Sequence, residues 1–440
     1  MDFIIQASQF LLSLSLLIIL HEFGHFIPAK LFNTKVEKFY LFFDPYFSLF
    51  KKKIGETEYG IGWLPLGGYV KISGMVDESM DTEQLKEEPK PWEFRSKPAW
   101  QRLIIMIGGV TVNVILAILI YMGMMMYYGE DYLPIDSIKN GLMVDDNGKA
   151  IGLKNGDLVI AVDGNKIERF TEIPKEILLS EESIEIIRDG KQMSLPVLDE
   201  HKKIILDNQT PIVGLRFPYI VGGFSDTSVA KDAGMMVGDS VISLNGKSLN
   251  YFDQYLDAIP TYAGDTIMLQ AYRGPDLMSF TMVVPDAGKI GVAPGGPSPA
   301  YYYPIEKKTY GFFAAIPAGI NKANNVLKDY IRQFRLIFNP ETEAYKQVGG
   351  FIAIGSQFDT SWNWERFWSF TAFLSIMLAF LNILPIPALD GGHVVFVLWE
   401  MVSGRKPSDK VLEYAQMVGF FILLALIVLA NGNDILGLFK

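Results

Sequence analysis

The chemistry of this chain begins with two histidines four residues apart, which enclose a glutamate in the motif His21-Glu22-Phe23-Gly24-His25. Side chains with this spacing lie on one face of a helix, so both imidazoles can reach a single ion. The intervening Glu22 is then placed to act on a water molecule that the ion activates. The motif therefore predicts a hydrolytic zinc site with Glu22 as its catalytic base.

The position of this motif adds to the signal, because it follows directly on the apolar run Phe3–Leu20. An ionisable group inside a membrane-spanning helix is energetically costly, and such groups usually serve a function. A bare HExxH motif also occurs by chance in helices of many proteins, so alone it leaves an ordinary helix as an open alternative. Its location favours a hydrolytic metal site built inside a membrane.

A second motif, Asn382–His393 (NILPIPALDGGH), supplies candidates for a third ligand. Asp390 and His393 are the only ionisable residues between Arg366 and Glu400. A catalytic zinc usually has three protein ligands and one open position. We predict Asp390 as the third ligand, with a helix cap as the alternative. For His393 we favour a satisfied histidine near the site over a ligand.

Composition limits the class of protein. The chain has 440 residues, half of them hydrophobic, and it has no cysteine. Disulfides and thiolate ligands are thereby excluded, so a metal must be held by histidines and carboxylates. The net charge of −10 argues against a nucleic-acid partner. The apolar N-terminus has neither a basic leader nor a small-residue cleavage site, which predicts an uncleaved anchor.

Four apolar stretches approach the length needed to cross a bilayer as a helix: about Phe3–Phe26, Trp100–Tyr128, Phe367–Ala388 and Val411–Ala430. We predict a polytopic α-helical membrane protein with four transmembrane helices, the third of which ends at its prolines. Lysines and arginines concentrate in the loops that follow the first and third spans. This distribution predicts that both loops are cytoplasmic and that both termini and Gly129–Glu365 are extracytoplasmic.

The long segment between the second and third spans contains a repeat. Gly152–Ile160 (GLKNGDLVI) aligns with Gly234–Ile242 (GMMVGDSVI), a spacing of 82 residues. Each copy indicates a Gly-Asp turn, a strand, a hairpin turn, a helix and further strands. The pattern resembles the circularly permuted PDZ domain of bacteria, which predicts PDZ domains at 129–215 and 216–300. Another duplicated β-rich domain is the alternative.

Three further segments connect these parts. Tyr59–Ile72 (YGIGWLPLGGYVKI) is predicted to form hairpin strands, which can enter a bilayer only where protein covers them. Val76–Lys97 is polar and is predicted to be a solvated linker within the first half of the membrane core, residues 1–128. Residues 301–365 are predicted to connect the second PDZ domain to the second half of the core, 366–440. A helical apolar stripe within them predicts an amphipathic helix packed on the outer domain or the membrane surface: Ile316, Ile320, Ala323, Leu327, Tyr330, Phe334 and Phe338.

Four motifs together identify a family. HEFGH, Pro65–Met75 (PLGGYVKISGM), Phe94–Arg102 (FRSKPAWQR) and Asn382–His393 make the chain similar to the site-2 proteases, which are intramembrane zinc metalloproteases. The resemblance covers essentially the whole chain. It implies Zn²⁺ on three ligands, a catalytic glutamate and a membrane-reentrant β-hairpin. The residues that it implicates are the ligands His21, His25 and Asp390, the base Glu22, and for substrate binding Asn382, Pro385 and Pro387, to which we add Gly67 and Gly68 of the hairpin.

The resemblance also implies a substrate class and a location. The family cleaves single-span membrane proteins already trimmed by a first protease, such as anti-sigma factors, and also remnant signal peptides. The expected location is the bacterial inner membrane, where lipids are obligatory partners and the PDZ domains could bind peptides or C-termini. Two other classes remain as alternatives: a non-proteolytic membrane PDZ scaffold with a structural metal, and a metal transporter.

Overall fold

The computed structural model describes residues 2–65, 67–75, 88–208, 210–296, 299–437 and 439. The chain forms two compact units. The helical unit comprises residues 1–129, 309–337 and 345–440, and the β-rich unit comprises residues 130–308 and 338–344. Residues 76–87 of the predicted linker lie outside the described residues.

The helical unit begins with a long helix, which is followed along the chain by four strands and then by a second long helix. Long apolar runs give the helices their length, and the HExxH motif continues the first of them without interruption. Pro28 lies near the end of that helix. The elements are helix α1 (Asp2–Leu31), strands β1 (Val36–Leu41), β2 (Phe43–Ile54), β3 (Thr57–Leu64) and β4 (Tyr69–Ile72), and helix α2 (Ala99–Tyr127).

The predicted hairpin Tyr59–Ile72 is instead part of a four-stranded sheet. Strands β3 and β4 do not pair with each other, because β1 lies between them in the order β2-β3-β1-β4. Strand β1 is parallel to β3 and antiparallel to β4. The tight hairpin joins β2 to β3, with Gly55 at a positive φ of 62° in its turn. Local spacing shows that strands are present, but pairing to the earlier β1 depends on distant residues.

The β-rich unit follows α2. Its strands are β5 (Glu130–Tyr132), β6 (Leu142–Val144), β7 (Leu158–Val162), β8 (Asn165–Lys166), β9 (Ser183–Arg188), β10 (Lys191–Pro196), β11 (Val213–Leu215), β12 (Ile220–Phe224), β13 (Ser240–Leu244), β14 (Lys247–Ser248), β15 (Thr266–Arg273), β16 (Asp276–Val283), β17 (Val292–Gly295) and β18 (Glu306–Lys308). Its helices are α3 (Asp146–Ala150), α4 (Ile173–Leu178), α5 (Asp199–Asn208), α6 (Val229–Asp232), α7 (Phe252–Ala258) and α8 (Pro299–Tyr302).

The internal repeat is visible in the pairing of these strands. The first copy contains a sheet in the order β10-β9-β7-β8, and the second contains the equivalent strands β16, β15, β13 and β14. Helices α4 and α7 occupy equivalent places in the chain, α4 between β8 and β9 and α7 between β14 and β15. Each copy has its own hydrophobic core. The duplication predicted from the spacing of 82 residues is thus a duplication of structure.

Each copy also contains the same ion pair. Arg188 donates to Asp157 with a shortest distance of 2.6 Å, and Arg273 donates to Asp239 at 2.7 Å. Both aspartates belong to the repeated Gly-Asp turn and are 1% exposed. Each also accepts a hydrogen bond from a backbone N–H three residues earlier, at Lys154 and Met236 respectively. The ion pair therefore fixes the turn to the third strand of each copy.

Replacing Asp239 by asparagine is expected to destabilise the second copy by about 2 kcal/mol, because a charged hydrogen bond is lost. The Arg273 guanidinium holds the pKa of Asp239 below its usual value. The pair therefore contributes stability above the unfolded-state pKa of about 4, and this contribution is lost as pH falls through the lower folded pKa. Thermal unfolding of the full chain between pH 3 and 7 measures both effects, and an Asp239→Asn protein with unchanged stability at pH 7 would contradict them.

The chain then returns to the helical unit. Its remaining helices are α9 (Phe312–Phe338), α10 (Phe351–Ser356), α11 (Trp364–Ile383), α12 (Asp390–Ser403) and α13 (Asp409–Gly437). Within the described residues, four helices are long and apolar enough to cross a membrane, namely α1, α2, α11 and α13. Helix α11 ends before Pro385, as the proline pair predicts. The sequence analysis did not predict helix α12, because its 14 residues are too few for a span.

The amphipathic helix α9 packs by its small residues. Ala315, Gly319 and Ala323 are its buried positions. A Cβ on Gly319 would lie 2.6 Å from Met122 of α2, so the two helices are in close contact there. The ring of Tyr330 stacks edge-on with Phe380 of α11 at 5.2 Å. The predicted helix is present, and within the helical unit it packs on two of the candidate spans.

Candidate metal centre

Three donor atoms from two distant parts of the chain meet between helices α1 and α12. His21 Nε2 and His25 Nε2 lie 3.3 Å apart, as helical i, i+4 spacing allows. Asp390 Oδ2 lies 3.3 Å from each of these nitrogens. The three residues form the one group of potential metal ligands found among the described residues. The sequence analysis predicted all three as ligands, the histidines from their spacing and Asp390 as one of two ionisable residues in a long apolar stretch.

The triangle of donors fits a zinc ion. Ligands at zinc–nitrogen and zinc–oxygen distances of about 2.0–2.1 Å in a tetrahedron are about 3.3–3.4 Å apart. The three edges of 3.3 Å match that spacing. Asp390 Oδ2 is also buried and forms no well-aligned hydrogen bond with any residue that the structure describes. A buried carboxylate oxygen beside two imidazole nitrogens is what a divalent cation with borderline-soft preferences requires.

The histidine rings are held from behind by helix α2. His25 Nδ1 lies 2.8 Å from the Ile105 carbonyl oxygen, to which it donates as Nδ1–H. A neutral imidazole with its proton on Nδ1 has a free lone pair on Nε2, which is the atom facing the other donors. His21 Nδ1 lies 3.1 Å from the side-chain amide of Asn113. Both rings therefore point Nε2 toward Asp390.

Glycines allow α1 and α2 to approach closely enough for these contacts. A Cβ on Gly24 would collide with the Gly108 carbonyl group and would lie 2.7 Å from Gly109 Cα. A Cβ on Gly109 would collide with His25 Nε2 and would lie 2.6 Å from His21 Cε1. Because Gly109 of α2 has no side chain, it leaves the space that the two imidazole rings occupy. The close approach is a condition for the metal centre.

The turn that presents Asp390 depends on glycines as well. Asp390 is the first residue of α12, where the helix dipole favours a carboxylate. A Cβ on Gly391 would collide with the Ile383 and Leu384 carbonyl groups, and a Cβ on Gly392 would lie 2.6 Å from Pro387 Cα. The first turn of α12 therefore sits directly on the preceding loop.

The far end of α12 is tied to α2 by a buried ion pair. Arg102 donates to Glu400 at 2.5 Å, and both side chains are largely buried. Arg102 also donates to the Lys97 carbonyl oxygen at 3.0 Å. Helix α12 is consequently anchored at both ends, which fixes the direction in which Asp390 points.

A cavity of about 660 Å³ opens onto the donors. Glu22 lines it beside the two histidines, and Asn382 lines it with Nδ2 3.4 Å from His21 Nε2. Gly67 and Gly68 line it as well. A Cβ on Gly68 would lie 2.5 Å from Ile18 and 3.6 Å from Glu22 Cγ, so this glycine allows close contact with the face of α1 that carries Glu22.

Two of the predicted substrate residues are placed differently. Pro385 and Pro387 are not among the described residues that line the cavity. Pro387 instead packs under α12 and α13, where a Cβ on Gly392 or Gly419 would meet it. A role of the prolines in substrate handling stays a prediction. His393 lines the cavity but is outside the group of metal ligands, as expected from the interpretation that we favoured.

Sequence reasoning missed several residues of the site. Lys38, Asp44 and Lys71 line the cavity from the sheet, and Asn113 contacts His21 from α2. The sheet residues could not be placed without the strand order. Asn113 did give a signal, because it is the only amide in the apolar part of α2 and lies four residues after Gly109.

Comparison with known proteins agrees with this geometry. The model of the Peptidase family M50 matches residues 9–426. The regulator of sigma-E protease RseP of Escherichia coli K12 is 27% identical over 458 residues, which cover 99% of each chain. A Rickettsia conorii protein named among the zinc metalloproteases is 28% identical over 439 residues, 98% of each chain. A Xylella fastidiosa protein of the same description is 27% identical over 461 residues, 99% of this chain and all of the relative. The chain is a membrane protein and a zinc metalloprotease that belongs to the Peptidase family M50, the site-2 proteases.

Proposed function

We propose that this protein is an intramembrane zinc endopeptidase that hydrolyses the transmembrane segment of single-span membrane proteins. We assign the zinc to His21, His25 and Asp390. The observation that carries the proposal is the 3.3 Å triangle of their donor atoms, which opens onto a cavity between helices apolar enough to cross a membrane. Three protein ligands leave one coordination position for water or substrate, as in catalytic rather than structural sites.

Each residue of the cavity then has a distinct task. A zinc ion, when bound, acts as a Lewis acid that activates water and polarises a carbonyl group. Glu22 accepts the proton of the attacking water and returns it to the leaving amine. Its carboxylate is nearly buried, so bulk water does not compete for that proton. The amide of Asn382, close to His21 Nε2, is placed to donate to the substrate backbone.

The substrate must reach this cavity as an extended strand. Carbonyl groups in a helix are hydrogen-bonded and screened, so a transmembrane substrate has to unwind at the cleavage site. Strand β4 is an edge strand of the sheet, and Tyr69, Val70 and Ile72 line the cavity. An unpaired strand edge is a ready template for an added strand. We propose that the substrate pairs with β4 beside the metal ligands.

Proline substitutions in β4 test this pairing. Successive N–H groups of a strand point to opposite edges, so Val70→Pro and Lys71→Pro each remove one donor, one facing β1 and one facing the open edge. The variant that loses the outward donor is expected to keep the thermal unfolding temperature of the wild type. It should cleave about fivefold more slowly, because one substrate hydrogen bond is worth about 1 kcal/mol.

The other edge of the same sheet provides the control. Lys52→Pro alters the exposed edge strand β2, and Lys52 is not among the described cavity residues, so its cleavage rate should match the wild type. If both β4 variants fold and cleave at the wild-type rate, the substrate does not pair with this strand.

The β-rich unit and the membrane topology complete the proposal. We assign the two copies in the β-rich unit to the circularly permuted PDZ domains predicted at 129–215 and 216–300. These domains would admit only substrates that another protease has already trimmed.

The charge distribution supports cytoplasmic loops after the first and third spans, with both termini and the β-rich unit outside the inner membrane. The similarity to the regulator of sigma-E protease supports membrane-anchored anti-sigma factors as substrates, and remnant signal peptides are the second class.

A reconstituted cleavage reaction tests the function. Purified protein is incubated in detergent with a single-span protein whose transmembrane segment is flanked by short tails, and the fragments are mapped by mass spectrometry. We expect a cut inside the apolar segment that a chelator abolishes and added zinc restores. Casein should remain intact. Cleavage of casein, or a cut outside the apolar segment, would contradict an intramembrane specificity.

A further inference from the structure

Asn113 is a buried amide for which the proposed reaction has so far no use. Asn113 is 0% exposed and lies in a stretch of α2 without charged residues. Burying an amide without hydrogen bonds costs free energy. Its Nδ2 lies 3.1 Å from His21 Nδ1. Its Oδ1 has no hydrogen-bond partner among the residues that the structure describes.

Each of the two histidines needs a hydrogen-bond partner on α2 for its Nδ1 atom, but the two partners differ in kind. His25 donates from Nδ1 to the Ile105 carbonyl oxygen at 2.8 Å, which leaves Nε2 free. His21 has Asn113 in the corresponding place. For His21 to ligate through Nε2, its proton must be on Nδ1, and that proton needs an acceptor. The amide oxygen of Asn113 is such an acceptor once the amide is turned so that Oδ1 faces the ring.

The position of this amide is determined by the same packing that builds the metal centre. Gly109 and Asn113 are four residues apart, so they lie on one face of α2. Gly109 admits the rings, and Asn113 stands one turn further along beside His21. The Asn113 backbone carbonyl oxygen accepts a hydrogen bond from Ser375 Oγ of α11 at 2.7 Å. Helix α2 is thereby held against the helix that leads to Asn382.

We infer that Asn113 is a positioning residue that accepts the Nδ1 proton of His21 and thereby selects the tautomer that ligates zinc. The inference rests on the proposed assignment of zinc to His21, His25 and Asp390. The amide can also rotate to donate to Nδ1 when the proton is on Nε2. Asn113 therefore satisfies His21 both with and without the ion, which a carbonyl oxygen such as that of Ile105 cannot do.

Two variants of Asn113 test this role. Asn113→Leu has a similar shape but no acceptor, and Asn113→Asp retains one. Loss of an outer-shell partner weakens metal binding about 10–100-fold, so we expect this increase in the zinc dissociation constant for Asn113→Leu. Asn113→Asp should restore most of the affinity. The measurement is competition for zinc against a chelating indicator in detergent solution.

A third variant and a spectroscopic measurement separate positioning from packing. Ser375→Ala removes the hydrogen bond to the Asn113 backbone but leaves the amide, so zinc affinity should stay at the wild-type value while thermal stability falls. The chain has four histidines, so 15N spectra of histidine-labelled protein can follow His21. The zinc-loaded wild type should show a hydrogen-bonded proton on His21 Nδ1. At saturating zinc the Nδ1 signal of Asn113→Leu should shift, because the acceptor of that proton is gone.

The outcomes separate this inference from the proposed function. An Asn113→Leu protein that binds zinc as tightly as the wild type overturns the role of Asn113, and so does an Asn113→Asp protein no better than Asn113→Leu. A wild-type protein that binds no stoichiometric zinc at all contradicts the ligand assignment instead.

Discussion

Replacing Glu22 by glutamine is expected to reduce cleavage of a single-span substrate by about 10²–10⁴-fold, the range for loss of a general acid–base group. Glutamine has nearly the same shape as glutamate, and Glu22 is not one of the three donor atoms. The variant should therefore retain zinc with the affinity of the wild type. Single-turnover cleavage rates and zinc content, measured on the same preparation, check the two halves of the prediction.

Asp390→Asn serves as the control for this experiment. It also replaces a carboxylate by an amide in the same cavity, but it changes a donor of the triangle. It should lose both activity and zinc, whereas Glu22→Gln should lose activity alone. Substantial cleavage by zinc-loaded Glu22→Gln protein would mean that another group accepts the proton, and the catalytic role of Glu22 would have to be abandoned.

The second large effect is expected from a single methyl group at Gly109. In Gly109→Ala the new Cβ would collide with His25 Nε2 and lie 2.6 and 2.8 Å from two atoms of the His21 ring. Both imidazoles must shift to accommodate it. A displacement of about 1 Å in a catalytic arrangement can cost about 100-fold in rate, so we expect at least this loss in kcat/KM. Zinc binding should weaken in parallel, because two of the three donors move.

Gly123→Ala is the matched control in the same helix. A Cβ at Gly123 would meet no atom of the described residues within 4 Å. Alanine is the better helix former by about 1 kcal/mol, so this variant should be at least as stable as the wild type and fully active. If Gly109→Ala behaved like Gly123→Ala, helices α1 and α2 would not approach each other as closely as the structure shows.

The metal donors could be predicted because their signals are local. The spacing of His21 and His25 defines a helix face, and Asp390 is one of only two ionisable residues in a long apolar stretch. The internal repeat was equally local, since turn residues recur at a constant spacing. The family resemblance then united motifs that lie far apart in the chain.

Other parts of the site depend on contacts that no local pattern reports. The four-stranded sheet inserts β1 between β3 and β4, so the predicted hairpin was wrong although its strand residues were largely right. Helix α12 is stabilised by Arg102 from a distant helix and by glycines that sit on the preceding turn. The role of Asn113 depends on the crossing of α1 and α2, which becomes apparent only when Gly24 and Gly108 are seen in contact.

The separation of the donors along the chain has a consequence for biosynthesis. His21 and His25 leave the ribosome early, but Asp390 follows only after the whole β-rich unit has been translated. If zinc is held by these three donors as proposed, a nascent chain carries two of them and no complete site, so it cannot hydrolyse other polypeptides at the insertion machinery. Hydrolytic competence begins only when translation is nearly finished, so the order of the elements itself acts as a safeguard during assembly.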